Sequence, residues 1–202
     1  MSKHEQKTEL ALQLYDIGAL KFGEFTFKSG LISPIYVDLR LFISHPKVLK
    51  KVVKLYAELL APLNYDRLAG VAYAALPIAG AISLEIERPW IFLRKEGLKK
   101  GYGLQKSLEG EYQKGESVVM IEDLVTRATS LLEVIPVIEE HGLVVKDAVV
   151  LLDYGKGGPE NMKAKGYTVH AFMTMQELVD IMKAEGKIDG AKHQQSIEFL
   201  KS

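Results

Sequence analysis

Residues 118–121, VVMI, are four consecutive apolar residues that lead directly into the adjacent acids Glu122 and Asp123 and then a hydroxyl-rich turn. A short apolar run of this kind reads as a strand buried on both faces of a parallel sheet. The next stretch, LLEVIPVIEEHG, has helical spacing and stops at Gly142, with Pro136 inside it as a structural kink or shortening. A loop between strand and helix collects unpaired backbone N–H groups, so a phosphate can be held there without any lysine. Thr126, Thr129 and Ser130 add hydroxyl donors, and an acid pair at the strand tip suits a sugar diphosphate. The competing reading is a plain βα turn with N-capping hydroxyls and two solvated carboxylates.

The rest of the chain repeats this alternation. Leu10, Leu12, Leu14, Tyr15 and Ile17 fit an amphipathic helix over residues 7–17, ended by Gly18. FGEFTFKSGLISPIYVDLR alternates aromatic and polar residues around a turn at Ser29 and Gly30 and reads as a hairpin. Residues 46–60 form a second helix, with Pro46 in its first turn and Val48, Val52, Leu55 and Leu59 on one face. RLAGVAYAALPIAGAISLEI gives a strand, a turn around residues 74–77 and a small-residue helix. Further strands are expected at 90–93, 147–152 and 168–173, with Trp90 in core or interface. The polar tail MKAEGKIDGAKHQQSIEFLKS reads as a helical lid over the sheet edge. Strands alternating with helices imply a mostly parallel α/β sheet covered on both faces, with ligands at the strands' carboxyl ends.

A chain of 202 residues fits one domain, 1–202, with residues 1–45 as an N-terminal extension. Its 26 basic and 26 acidic residues balance, so no global field attracts nucleic acid or an anionic membrane, and any anion site must be local. No cysteine is present, which removes disulfides and thiolate chemistry. The charged N-terminus lacks a signal-peptide core, and no run approaches a membrane span of about 20 residues, so a cytoplasmic location is expected. None of the five histidines has useful ligand spacing. Residues 94–117 hold RKEGLKKGYGLQKSLEGEYQKGES, rich in Lys and Gly. A connection of that length is a functional flap or disorder, with a solvated β-ribbon as the bland alternative.

The stretch IEDLVTRATS resembles the ribose-phosphate signature of the type I phosphoribosyltransferases. Three more segments narrow the resemblance to the orotate-using branch: FTFKSGLISPIYVDLR, AGVAYAALPIA and RKE followed by Lys-Gly-Tyr-Gly. The resemblance spans nearly the whole chain. It implies the type I phosphoribosyltransferase fold with an N-terminal hood, and transfer of a phosphoribosyl group from phosphoribosyl diphosphate to orotate in pyrimidine synthesis. It further implies that Glu122 and Asp123 hold the ribose hydroxyls, that residues 126–130 hold the 5-phosphate, and that Thr126 also faces the base. Tyr73 and Ala74 would frame the diphosphate turn, and Lys28 would lie by the substrates. Arg94, Lys95, Lys99 and Lys100 would supply cations to the diphosphate. Lys100 is the best match to the catalytic flap lysine, with Lys99 competing, and Tyr102 fills a His-or-Tyr position. Departure of pyrophosphate leaves an oxocarbenium-like centre, so catalysis would rest on stabilising the leaving oxygens and excluding water. Mg²⁺ would ride mainly on the diphosphate rather than in a protein cage. A homodimer sharing the flap across its interface is implied as well.

Four departures stand out. Ala74 occupies a position that is lysine in many bacterial members. Arg127 puts a bulky cation where small residues are usual, either against a phosphate or facing solvent. Ala128 replaces a glycine whose backbone approaches the phosphate or takes positive φ, a conformation alanine tolerates poorly. Tyr154 in LLDYGKGG replaces the family's arginine partner for orotate, and a tyrosine gives no bidentate charged contact. These changes open two other readings: a paralogue binding a phosphoribosyl ligand as a regulator, and a transferase for another base.

Overall fold

The computed structural model describes residues 1–26, 30, 32–94 and 108–201. Helix α1 (Lys3–Asp16) is followed by a hairpin of β1 (Leu20–Thr26) and β2 (Ile32–Val37), a 3-10 helix (Leu39–Ser44) and α2 (Pro46–Leu60). The chain continues with β3 (Arg67–Gly70), α3 (Ala75–Ile86), β4 (Trp90–Leu93), β5 (Leu108–Glu109), β6 (Ser117–Val125), α4 (Thr129–Glu140) and β7 (Val144–Asp153). Helix α5 (Gly158–Lys163), β8 (Thr168–Thr174), α6 (Met175–Ala184) and α7 (Gly190–Lys201) complete the order. Six strands make one sheet in the order β5-β4-β3-β6-β7-β8, parallel except for β5 on β4. The hairpin stands apart as the expected hood, paired from Leu20↔Val37 to Thr26↔Ile32.

Two apolar layers cover the sheet. One buries Val119, Ile121, Val149 and Leu151 against α1, α2, α3 and α6. The other buries Val118, Met120, Ala148 and Val150 against α4 and Met162 of α5. Alternate residues of β6 and β7 thus face opposite layers, which is why both strands read as unbroken apolar runs. From β3 the chain winds through α3 to β4, and from β6 through α4 to β7 on the opposite side. The reversal falls between β3 and β6, where doubly wound sheets open a crevice.

Several expected boundaries move. Helix α1 begins at Lys3, because Ser2 and Glu5 form a reciprocal capping box. Helix α4 carries exposed Pro136 inside it, as expected, and ends at Glu140 just before Gly142. The tail is two helices; α7 makes its main contacts with α6 and the hood strand β2 rather than lying along the β8 edge. At the far end of the 94–117 segment, Leu108 is buried against β4, and Arg67 ion-pairs with Glu116.

Candidate active site

The loops at the carboxyl ends of β3, β6 and β7 meet at the crevice, and each runs into a helix start. The acid pair lies within β6, not past its tip: pairing with β7 continues to Leu124↔Leu152 and Val125↔Asp153. On the other side, pairing with β3 ends at Gly70↔Ile121, and Val71 N donates to Ile121 O at 3.0 Å. Beyond Ile121 the β3-facing edge of β6 is therefore open, and Glu122 and Asp123 sit on that stretch.

Both acids are mostly enclosed. Glu122 is 8% exposed. Burial, then the neighbouring Asp123 charge, pushes Glu122 up to about 9, and burial raises Asp123 as well. Each carboxyl acts on the other's ionisation, so enclosure favours a protonated Glu122 beside Asp123 in the free protein. Each also turns an oxygen back onto the chain: Asp123 N donates to Glu122 Oε1 at 3.1 Å and Leu124 N to Asp123 Oδ1 at 2.8 Å. From beneath, the fully buried Tyr56 donates its hydroxyl to Glu122 O at 2.6 Å. Tyr56 fixes the main chain of the pair, yet at helical spacing with Val52 and Leu60 it reads in the sequence only as core. The solvated-carboxylate reading does not hold for groups this enclosed.

The turn that the sequence resemblance assigns to phosphate comes immediately after the pair. Thr126, Ala128, Thr129 and Ser130 line a small hollow that Glu122 also faces. Ala128 precedes α4 with φ 61° and ψ 23°, the left-handed conformation that favours glycine. No side chain caps α4, so the hydroxyls do not serve as N-caps and leave the N–H groups of its first turn without a side-chain cap. Arg127 is exposed and outside that lining; its carbonyl accepts from Asn161 Nδ2 at 3.1 Å. Tyr73 is 63% exposed on the β3–α3 turn, and Ala74 occupies the start of α3, again without a side-chain cap.

Glycine at 158 is required by contact. A Cβ there would lie 2.6 Å from Thr126 O and 2.5 Å from a Val125 methyl. The start of α5 can thus press against the phosphate turn, while Tyr154 N donates to Val125 O at 2.8 Å. Tyr154 itself is half-buried and packs against the same apolar core as Ile197 and Leu200 of α7, and the Ser33 hydroxyl of the hood acts on its phenol. Burial raises its pKa, partly offset by Ser33, so the phenol stays neutral. Arg94 pairs with Glu109 at 2.6 Å across the β4–β5 step. Lys28, Lys95, Lys99, Lys100 and Tyr102 lie outside the described residues.

Three helix starts, an enclosed diacid and an uncapped turn can together accept a vicinal diol and hold phosphate oxygens. Among the described residues there is no cluster of three metal-ligating side chains, and none of their helices is long and apolar enough to cross a membrane. Residues 42–185 match the phosphoribosyl transferase domain family. The chain is 38% identical to the uridine 5'-monophosphate synthase of Bos taurus over 95% of its own length, and it spans 40% of that protein. It is 36% identical to the orotate phosphoribosyltransferase of Pyrococcus horikoshii, the match covering 86% of this chain and 94% of that one. A solved orotate phosphoribosyltransferase from Aeropyrum pernix superposes with a TM-score of 0.76 at 30% identity, covering 89% of this chain and 99% of the other.

Proposed function

This chain belongs to the phosphoribosyl transferase family, and on that premise we propose that it is an orotate phosphoribosyltransferase, forming orotidine 5-phosphate and pyrophosphate. The observation that carries this reading is the enclosed Glu122–Asp123 pair on the open edge of β6, beside the uncapped start of α4. Ionised, the pair accepts the two ribose hydroxyls; the turn 126–130 takes the 5-phosphate with backbone N–H groups and hydroxyls. Orotate N1 attacks the anomeric carbon as that carbon's bond to the diphosphate oxygen breaks; the N1 proton passes to solvent or to the departing pyrophosphate, which takes the electron pair. Lys100, with Lys99, Lys95 and Arg94, stabilises the leaving oxygens. Tyr73 and Ala74 frame the diphosphate, and Lys28 and Tyr102 lie alongside the substrates. Thr126 and Tyr154 face the base.

The donor set fits Mg²⁺ carried by the substrate: hard carboxylate oxygens stand at the ribose, with no third ligand beside them among the described residues. Bound there, the ion would neutralise diphosphate charge, while Glu122 and Asp123 would orient the ribose. A homodimer that shares its flap is part of the same reading. Leu84 on α3, 84% exposed, and Ile43, 65% exposed, are apolar surfaces that a second copy would cover. So is a cytoplasmic location. A second reading, a nucleotide-binding protein without transfer activity, draws support from neutral Tyr154 and strained Ala128.

One assay separates them: pyrophosphate release from phosphoribosyl diphosphate and Mg²⁺ with a panel of bases. Turnover on orotate is expected. Tight ligand binding without turnover on any base favours the second reading, and turnover on another base alone changes the substrate. Mixing Lys100→Ala with Asp123→Asn protein restores one competent site per mixed dimer if the flap is shared; no rescue after subunit exchange counts against sharing.

A further inference from the structure

Lys156 stands in the middle of the base-side loop, two residues after Tyr154 and between Gly155 and Gly157, which take φ of 74° and 80°. Its ammonium donates to Phe199 O at 2.7 Å and Leu200 O at 3.1 Å and lies 5.0 Å over the Phe199 ring. These carbonyls belong to the last turn of α7, at the negative end of the helix dipole. A lysine there both caps the helix and is held by it. Burial, then the charge of Arg127, lowers its pKa, which marks a partly desolvated ammonium rather than a solvent-swept one.

The surroundings make this contact an anchor. The ends of the loop are tied to the phosphate side, through Tyr154 N to Val125 O and through Gly158 and Asn161 against residues 126 and 127. Between those ends, Gly155 N donates to Asp153 Oδ1 within the loop itself at 2.9 Å. Among the described residues, the hydrogen bonds that tie residues 155–157 to the C-terminal helix are those of Lys156. Helix α7 is itself seated on α6 and on β2, with Ser196 fully buried. The same β2 carries Ser33, the hydroxyl that meets Tyr154. Hood, loop and C-terminal helix thus close on one another around Tyr154.

We propose that Lys156 is a positioning residue for the base. By capping α7 it fixes the loop 154–157 and holds Tyr154 against the hood, so that base affinity depends on a helix end 43 and 44 residues away in sequence. This rests on the activity proposed above. The phosphoribosyl half, built on β6 and the start of α4, does not draw on Lys156.

The test is steady-state kinetics on Lys156→Met, which keeps the aliphatic stem and loses the donors, and Lys156→Arg, which keeps charge and donors. Amide hydrogen exchange on the free proteins accompanies it. In the methionine variant the orotate KM rises about tenfold while the phosphoribosyl diphosphate KM and kcat stay within about twofold, and arginine restores most of the loss. In the free methionine variant the amides of 154–157 exchange about tenfold faster while those of 129–132 do not change. An orotate KM that does not move, a parallel rise in both KM values, or failure of arginine to restore it overturns the assignment. Should the methionine variant not fold, Lys156→Gln carries the same test. If the wild type turns over no orotate, the proposed activity falls, and exchange alone decides: unchanged protection at 154–157 overturns the brace.

Discussion

The two sides of the crevice, the one proposed for phosphate and the one proposed for the base, are built in opposite ways. The first comes from one continuous stretch, residues 122–130, in which a central strand, a turn and a helix start supply acids, hydroxyls and N–H groups. The second is assembled from segments far apart in the chain: Ser33 of the hood, Tyr154 and Lys156 after β7, and the last turn of α7. A continuous unit is specified by strand period and turn chemistry. An assembled one is specified by packing, so it can change its ligand contacts without disturbing the sheet.

If that division is real, damage on each side should stay on that side. Asp123→Asn removes an ionised acceptor from the continuous unit. Loss of a hydrogen bond to a charged group, about 1.5 to 3 kcal/mol, weakens phosphoribosyl diphosphate binding roughly tenfold to a hundredfold, measurable by calorimetry at unchanged far-UV spectrum. Unchanged affinity would remove the acid pair from the site.

Next in size is a pH effect whose sign is set by burial. Glu122 is held at about 9 against an ordinary 4.5, so the folded state carries the extra proton between those limits. The free protein therefore loses stability as pH rises through that window, while phosphoribosyl diphosphate, which needs the ionised pair, binds more tightly and displaces a proton. Melting curves from pH 6 to pH 9, within that window, should fall in the wild type and flatten in Glu122→Gln. A flat wild-type profile would mean that the acids ionise without cost.

Gly158→Ala tests the contact where the two sides touch. Its Cβ, 2.6 Å from Thr126 O, forces the phosphate turn away. Overpacking of this kind costs about 1 to 3 kcal/mol in denaturant unfolding and raises the KM for phosphoribosyl diphosphate. Tyr154→Phe, by contrast, removes only the phenol at Ser33, costs about 1 kcal/mol, and should move the orotate KM alone. The smallest change is a gain. Ala128→Gly relieves a left-handed alanine and stabilises the protein by at most about 1 kcal/mol, after the greater freedom of the unfolded glycine chain is subtracted.

The legible parts of the molecule were the local ones. Apolar runs at 118–121 and 147–152 announce doubly buried strands, and the hydroxyls at 126, 129 and 130 announce the loop between them and a helix. Local pattern could not tell where β6 ends, because its length is set by β7, which continues to pair after β3 has left. Tyr56 was hidden by its own position: an aromatic on the buried face of α2 looks like packing until its hydroxyl is found on Glu122 O. Gly158 looks like any helix-start glycine until the carbonyl beneath it is located. The base side was least legible, since Lys156 and the α7 carbonyls are joined only by the tertiary fold.

Where β3 leaves β6 early, a length of strand edge is left bare. An edge with unpaired backbone is ordinarily a hazard, because another chain can add to it and begin aggregation. Here the bare edge is a short stretch mid-sheet, with β7 on one flank and β3 in line with it on the other, so an extended chain added along it would run into β3. The protein keeps an unfinished piece of sheet that a compact small molecule can complete and a neighbouring polypeptide cannot.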